Sequence, residues 1–171
     1  MFKKLDPKIN LALTLAIISG ISALLLALVN NLTSPVIAQN RQEQTLNLYS
    51  EIFPDMTDYE EFSSDNVDSV LTINKDGEEL GTICVATGRN SYGSVTALVG
   101  FDLDNNIVGI QYSNFSQTPG FGDKVKDQNY VEEQYVGDSA SSIDADTASG
   151  ATYSSKLVFE LSNKCAAEVE E

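Results

Sequence analysis

The chain has no histidine, no tryptophan, two cysteines, four prolines and only ten basic residues against twenty-five acidic ones in 171. Each scarcity excludes a chemistry. Without histidine there is no Ser-His-Asp triad, and a zinc site would need unusual ligands. Two cysteines are too few for an iron–sulfur cluster held by four thiolates. No side chain stands out as a base or nucleophile toward a substrate, so neither a catalytic residue nor a metal site is expected. At a net charge of −15 the chain lacks the lysines and arginines that replace counterions on nucleic acid. The same charge disfavours lying flat on anionic lipid. We read the acidity as a solubility feature in preference to a cation-attracting field. Cys84 and Cys165 stand far apart in the chain. They can pair only outside the cytoplasm and only if the fold brings them together. The favoured reading is two buried thiols, Cys84 in a strand pattern and Cys165 on the apolar face of a helix.

What the chain does have begins with an apolar run. Residues 11–29 read LALTLAIISGISALLLALV, without a charge. As a helix this run matches the hydrocarbon thickness of a bilayer. Lys3, Lys4 and Lys8 precede it, which by the positive-inside rule puts the N-terminus in the cytoplasm and the bulk of the chain outside. The rival is a cleaved signal peptide, with Val36-Ile37-Ala38 as its cleavage site; the length of the run favours a retained helix. Ser19, Gly20 and Ser22 are small enough to pack against another helix and equally tolerable facing lipid. The expected organisation is a cytoplasmic N-terminus over 1–10, a transmembrane helix over 11–29, a stalk helix and acidic loop over 30–66, and a soluble domain over 67–171.

Within the stalk, a polar stretch with Pro35 leads to a helical run over 38–53, where Leu46, Tyr49 and Phe53 share a face. Residues 56–66 read as an acidic loop. The period then becomes that of strands, at 67–74, 80–87, 94–102 and 107–115. Lys75-Asp76-Gly77 is a hairpin signal, and Asp104-Asn105-Asn106 supplies another turn. Four strands joined by tight turns imply an antiparallel sheet with helices covering a face: an α+β fold behind one N-terminal transmembrane helix. Apolar residues make up 42% of the chain, enough to fill such a core.

Two stretches carry chemistry. The first is Asp146-Thr147-Ala148-Ser149-Gly150-Ala151-Thr152, of the form D-x-x-S-G-A-T. A helical stripe follows it: Leu157, Val158, Leu161, Cys165 and Val169. Thr152 therefore stands at or near a helix N-terminus, where free N–H groups and the helix dipole favour a phosphate. An ordinary Ser/Thr helix cap accounts for the same residues. The second is Gln117-Thr118-Pro119-Gly120-Phe121-Gly122-Asp123-Lys124, a tight loop poor in side chains, against which a flat ring can lie; a plain turn is the alternative.

These stretches together resemble the FMN-binding domain family. S-G-A-T after an acidic residue is similar to that family's flavinylation motif, and the 117–124 loop is similar to its E-T-P-G-L-G-x-K loop. Gln117 replaces the usual Glu and Phe121 the usual Leu, Phe115 stands where His is frequent, and Tyr153 departs from the usual T-S continuation. Gly88 to Gly93, with Tyr92, resembles the family's G-x-x-Y-G turn, and Tyr130, Gln134, Tyr135 and Gly137 resemble a further segment. The resemblance covers roughly residue 39 to the C-terminus.

The resemblance implies covalent FMN, joined through its phosphate to the Thr152 hydroxyl by a flavin transferase that reads the acidic position of Asp146, in a flavinylation motif with Ser149, Gly150 and Ala151. It implies a flavin pocket of Tyr92, Thr118, Pro119, Gly120, Phe121, Gly122, Lys124, Tyr153 and Ser154. The family includes the G subunit of the Rnf electron-transport complex, a ferredoxin:NAD+ oxidoreductase coupled to Na+ or H+ translocation. A subunit of that kind would carry electrons inside a larger enzyme without being a catalyst alone. Its partners would be membrane, flavin and iron–sulfur subunits. Its flavin domain would be extracytoplasmic, held by one span of the cell membrane. The C subunit of the Na+-translocating NADH:quinone oxidoreductase, a free-standing extracytoplasmic flavin carrier, and a non-redox anchored binding module remain as alternatives.

Overall fold

The computed structural model describes residues 7–120 and 122–170. The chain divides into two compact units, 1–43 and 44–171.

The first unit is helical wherever it is described. It is the larger part of α1 (Pro7–Ile52), with Leu11, Leu15, Ile18, Leu24, Leu26 and Leu32 all more than half exposed. Among the described residues α1 is the one helix long and apolar enough to cross a membrane, by length and composition. Its apolar side chains point outward on all sides, as a hydrocarbon environment requires. The sequence reading breaks the helix at a polar linker around Pro35. α1 instead continues through Pro35. A proline removes a single N–H donor, and the helix-compatible residues on both sides keep the remaining ladder. Ser34 Oγ donates to Asn30 Oδ1 at 3.3 Å, so part of the polar stretch is satisfied within the helix itself.

The second unit is built on five strands: β1 (Asp58–Phe62), β2 (Ser69–Lys75), β3 (Glu78–Asn90), β4 (Gly93–Asp102) and β5 (Ile107–Phe115). They form one antiparallel sheet in chain order. β1 corrects the expectation of a loop over 56–66. It is an edge strand whose residues are mostly exposed, so its sequence DYEEF has no alternating apolar face to betray it. Its partner sets it, with Tyr59 opposite Ile73 and Glu61 opposite Leu71. The β2–β3 turn has positive φ at both Asp76 (53°) and Gly77 (88°), the geometry that suits the twist of a hairpin.

The central strands bury both faces. On one, Leu71, Ile73, Ile83 and Leu98 pack with Tyr49 and Ile52 from the end of α1 and with Phe53 just after it. Burial, aided by neighbouring Glu61, pushes the Tyr49 hydroxyl up to about 12. On the other face, Cys84, Ala86, Val95, Ala97, Val99, Phe101 and Ile110 pack with Leu157, Val158, Leu161 and Cys165 of α4 (Thr152–Val169). Short helices α2 (Asp123–Lys126) and α3 (Gln128–Gln134) add Val125 and Val131 to that core. Odd and even positions of β3 and β4 divide between the two cores, as the alternation of a strand dictates. The α+β architecture expected from the sequence is the one found.

Candidate functional site

The site is organised by the start of α4. Thr152 is its first residue and Ala151 its N-cap, and no side chain caps the helix. The ordinary reading of a Ser/Thr cap therefore fails here: an alanine has no oxygen to offer the first-turn N–H groups. Gly150 precedes it with φ 80°, a left-handed turn that glycine adopts without strain. Thr152 and Tyr153 are exposed, whereas Ser154 and Ser155 are buried. The two serines are used structurally. Ser155 Oγ donates to Ala151 O at 3.1 Å and accepts from Ala148 N–H at 3.0 Å, knotting the turn before the helix. Ser154 Oγ donates to Gln117 Oε1 at 3.1 Å, joining α4 to the loop after β5.

Beside this helix start is a cavity of about 380 Å³, lined by Tyr92, Thr118, Gly150, Ala151, Thr152, Tyr153 and Ser154. Its size is within the range usual for small-molecule sites. The Tyr92 and Tyr153 rings stand 5.3 Å apart, tilted by 44°, and both are at least half exposed. Asn90 holds this corner: its Nδ2 donates to Tyr153 O at 3.1 Å, and its Oδ1 accepts from Tyr92 N–H at 2.9 Å.

The 117–124 loop contributes mainly by shape. Of its described residues only Thr118 lines the cavity. Gly120 has φ 82° and its N–H donates to Asp123 Oδ2 at 2.8 Å. Gly122 N–H donates to Thr118 O at 3.1 Å. Lys124 Nζ donates to Ser149 O at 2.6 Å, so the loop reaches back to the S-G-A-T stretch and sets an ammonium beside it. Pro119 is exposed and does not line the cavity. Phe121 lies outside the described residues.

Asp146 is exposed, and its backbone is held at both ends. Tyr130 Oη donates to Asp146 O at 2.6 Å, and Asp146 N–H donates to Gln134 Oε1 at 2.8 Å. Both partners belong to the segment that the sequence singled out without a role. Tyr135, in the same segment, is fully buried, and burial together with Tyr130 raises its hydroxyl above the ordinary tyrosine range.

Two residues at the site were not among the pocket side chains expected from the sequence. One is Asn90. The other is Gln117, which is 9% exposed and whose Nε2 has no hydrogen-bond partner among the described residues. A buried amide nitrogen without an acceptor is costly, and its presence next to a pocket-lining serine suits a site that receives a polar ligand. An uncapped helix start, a neighbouring ammonium, exposed aromatic rings and an unspent donor together fit a flavin nucleotide. The helix end and Lys124 suit its phosphate, and the tyrosines suit its ring.

The buried Ser154–Gln117 bond gives a direct test of this corner. Ser154→Ala leaves Gln117 with neither amide atom paired among the described residues, and is expected to lower stability by about 1–3 kcal/mol. Urea unfolding of the full-length protein in detergent measures it; a change near zero would show that the bond contributes nothing.

Comparison with known proteins agrees with this geometry. Residues 91–167 match the FMN-binding domain family, and residues 7–52 match the RnfG N-terminal region. The chain is 25% identical to the G subunit of the ion-translocating oxidoreductase complex of Photorhabdus laumondii, over 67% of this chain and 61% of that protein. It is 29% identical to the protein of the same name from Vibrio atlanticus, over 66% and 60%. It is 28% identical to the G subunit of the Na(+)-translocating ferredoxin:NAD(+) oxidoreductase complex of Acetobacterium woodii, over 77% and 70%. The matches thus span about six- to seven-tenths of the relatives' lengths. The chain thus carries a match to the FMN-binding domain family over residues 91–167, behind a match to the RnfG N-terminal region over 7–52.

Proposed function

We propose that this chain is the G subunit of a membrane-bound Rnf complex, carrying electrons through FMN held by a phosphoester to Thr152. The observation that carries the reading is the position of Thr152. Its hydroxyl heads an uncapped helix, at a cavity shared with Thr118 and two tyrosines, inside the D-x-x-S-G-A-T stretch. FMN, when bound, takes up and returns one or two electrons, which lets it join one-electron and two-electron partners. The chain supplies attachment and surroundings. The first-turn N–H groups of α4 and the Lys124 ammonium favour the negative phosphodiester. Tyr92 and Tyr153 offer two aromatic faces to the ring, and Thr118 of the 117–124 loop stands beside them in the cavity lining. Attachment keeps the carrier from being lost outside the cell.

On this reading α1 crosses the cell membrane once, with the N-terminus cytoplasmic and the flavin domain outside. The partners are the membrane, flavin and iron–sulfur subunits of the complex, together with a flavin transferase for maturation. The coupled ion is Na+ or H+. The test is expression with and without a flavin transferase. With it, the intact protein should gain one FMN less one water; without it, nothing. No gain in either case would refute the attachment. Affinity purification from native membranes should bring down the other subunits, and recovery of the chain alone would favour a solitary carrier.

Lys124 separates attachment from folding. Lys124→Met removes the bond to Ser149 O and the charge beside the motif, on an exposed residue. Attachment should slow about three- to tenfold, equivalent to roughly 1 kcal/mol in the transferase reaction. A time course of flavin incorporation reads this out. An unchanged rate would remove Lys124 from the site.

A further inference from the structure

β3 presents Cys84, Ala86 and Gly88 to the same side of the sheet, because alternate residues of a strand share a face. That side meets α4: a Cβ at Gly88 would lie 2.8 Å from Leu157 Cδ1 and 3.0 Å from Leu161 Cδ2. From Gly88 back to Cys84 is about 13 Å along the strand. From Leu157 forward to Cys165 is about 12 Å along the helix, on the stripe that Leu157 and Leu161 begin. The helix and strand run in opposite directions, so the register that sets Gly88 under Leu157 sets Cys84 under Cys165. Both cysteines are fully buried in one core, and both are free thiols in the structure.

We propose that Cys84 and Cys165 are an oxidisable pair that closes to a disulfide and staples the far half of α4 to β3. The proposal rests on the reading that this domain lies outside the cytoplasm, where disulfides persist. The oxidant is an external disulfide, small or carried by an oxidoreductase. One cysteine thiolate attacks it, forming a mixed disulfide and releasing one thiol. The second cysteine then attacks the chain's own sulfur in that mixed disulfide, forming the Cys84–Cys165 bond and releasing the other thiol. Two electrons and two protons pass from the pair to the external disulfide, now two thiols. The neighbouring Cys84 thiol, and burial, hold the Cys165 thiol far above its ordinary range, so thiolate is scarce in the closed fold. The exchange therefore belongs to folding, before α4 covers the strand. Once made, the bond spans most of the domain and anchors the helix whose other end bears Thr152.

The test is the full-length protein from membranes prepared without reductant, denatured in a maleimide and weighed intact. The expected mass carries no maleimide, and two maleimides after prior reduction. Two maleimides without reduction would overturn the proposal. Reduction should also lower the melting temperature of the wild type by about 10 °C, and leave the Cys165→Ala variant unmoved. An equal shift in both proteins, or none in the wild type, would overturn it too. The same spectrum reports FMN independently: flavin present with two free thiols rejects only the disulfide, and a disulfide without flavin rejects only the attachment.

Discussion

The Thr152→Ala protein is expected to fold as the wild type does and to carry no flavin after denaturation. The first half follows from the helix start. Thr152 is exposed, and Ala151 occupies the capping position without a side-chain bond. Alanine is the better helix former, so stability should change by no more than about 0.5 kcal/mol. The second half follows from the neighbouring hydroxyls. Ser154 and Ser155 are buried and committed to Gln117 and to the turn at Ala148 and Ala151. Ser149 is exposed but precedes the helix and its N–H groups. None of these three serines stands ready to replace the lost hydroxyl. In-gel fluorescence of the denatured band, beside a circular dichroism melt, measures both halves. Flavin persisting in the denatured variant would place the ester elsewhere.

The largest expected effect on stability is at Gly93. It has φ 140°, and a Cβ there would lie 1.5 Å from Ser116 O and 2.7 Å from Ser116 C. Ser116 cannot retreat freely, because its N–H is bound to Ser94 O at 2.8 Å. Gly93→Val must therefore break the pairing where β4 leaves the Tyr92 turn and β5 ends. Strain and lost ladder bonds together should cost about 3 kcal/mol or more. The damage falls on the site as well, since Gln117 and Thr118 follow Ser116 and Tyr92 precedes Gly93. Gly120→Val is the contrast. Its φ is 82°, but among the described residues beyond its chain neighbours nothing lies within 4 Å of the new Cβ, so only backbone strain of about 1–2 kcal/mol is expected. Thermal melts of the two variants should differ clearly. Equal losses would mean that the approach at Ser116 is not what demands glycine.

The contrast shows what a sequence conceals. Tight approach at Gly93 depends on a carbonyl more than twenty residues away, and no local pattern announces it. The same holds for the two polar side chains that shape the cavity. Gln117 meets Ser154 and Asn90 meets Tyr153 across long stretches of chain, so neither has a periodic signature. Where structure is local, it was legible. β2 to β5 alternate, and α4 carries its stripe, so their existence and antiparallel pairing could be read. β1 could not, because an exposed edge needs no apolar face. Pro35 misled in the other direction: a signal that usually ends a helix is absorbed within α1. The S-G-A-T stretch was readable because a turn of small residues before a helix is a local event. The 117–124 loop was readable as a loop, although of its described residues only Thr118 reaches the cavity. Its glycines and Lys124 serve the shape of the site without lining it.

The central claim is a covalent bond at one side chain. Peptide mapping of the native protein by tandem mass spectrometry, after denaturation and digestion, tests it most directly. The account predicts FMN less one water on the peptide that contains 149–156, with fragment ions assigning it to Thr152. An unmodified peptide from native membranes, or flavin assigned to any other residue, would contradict it.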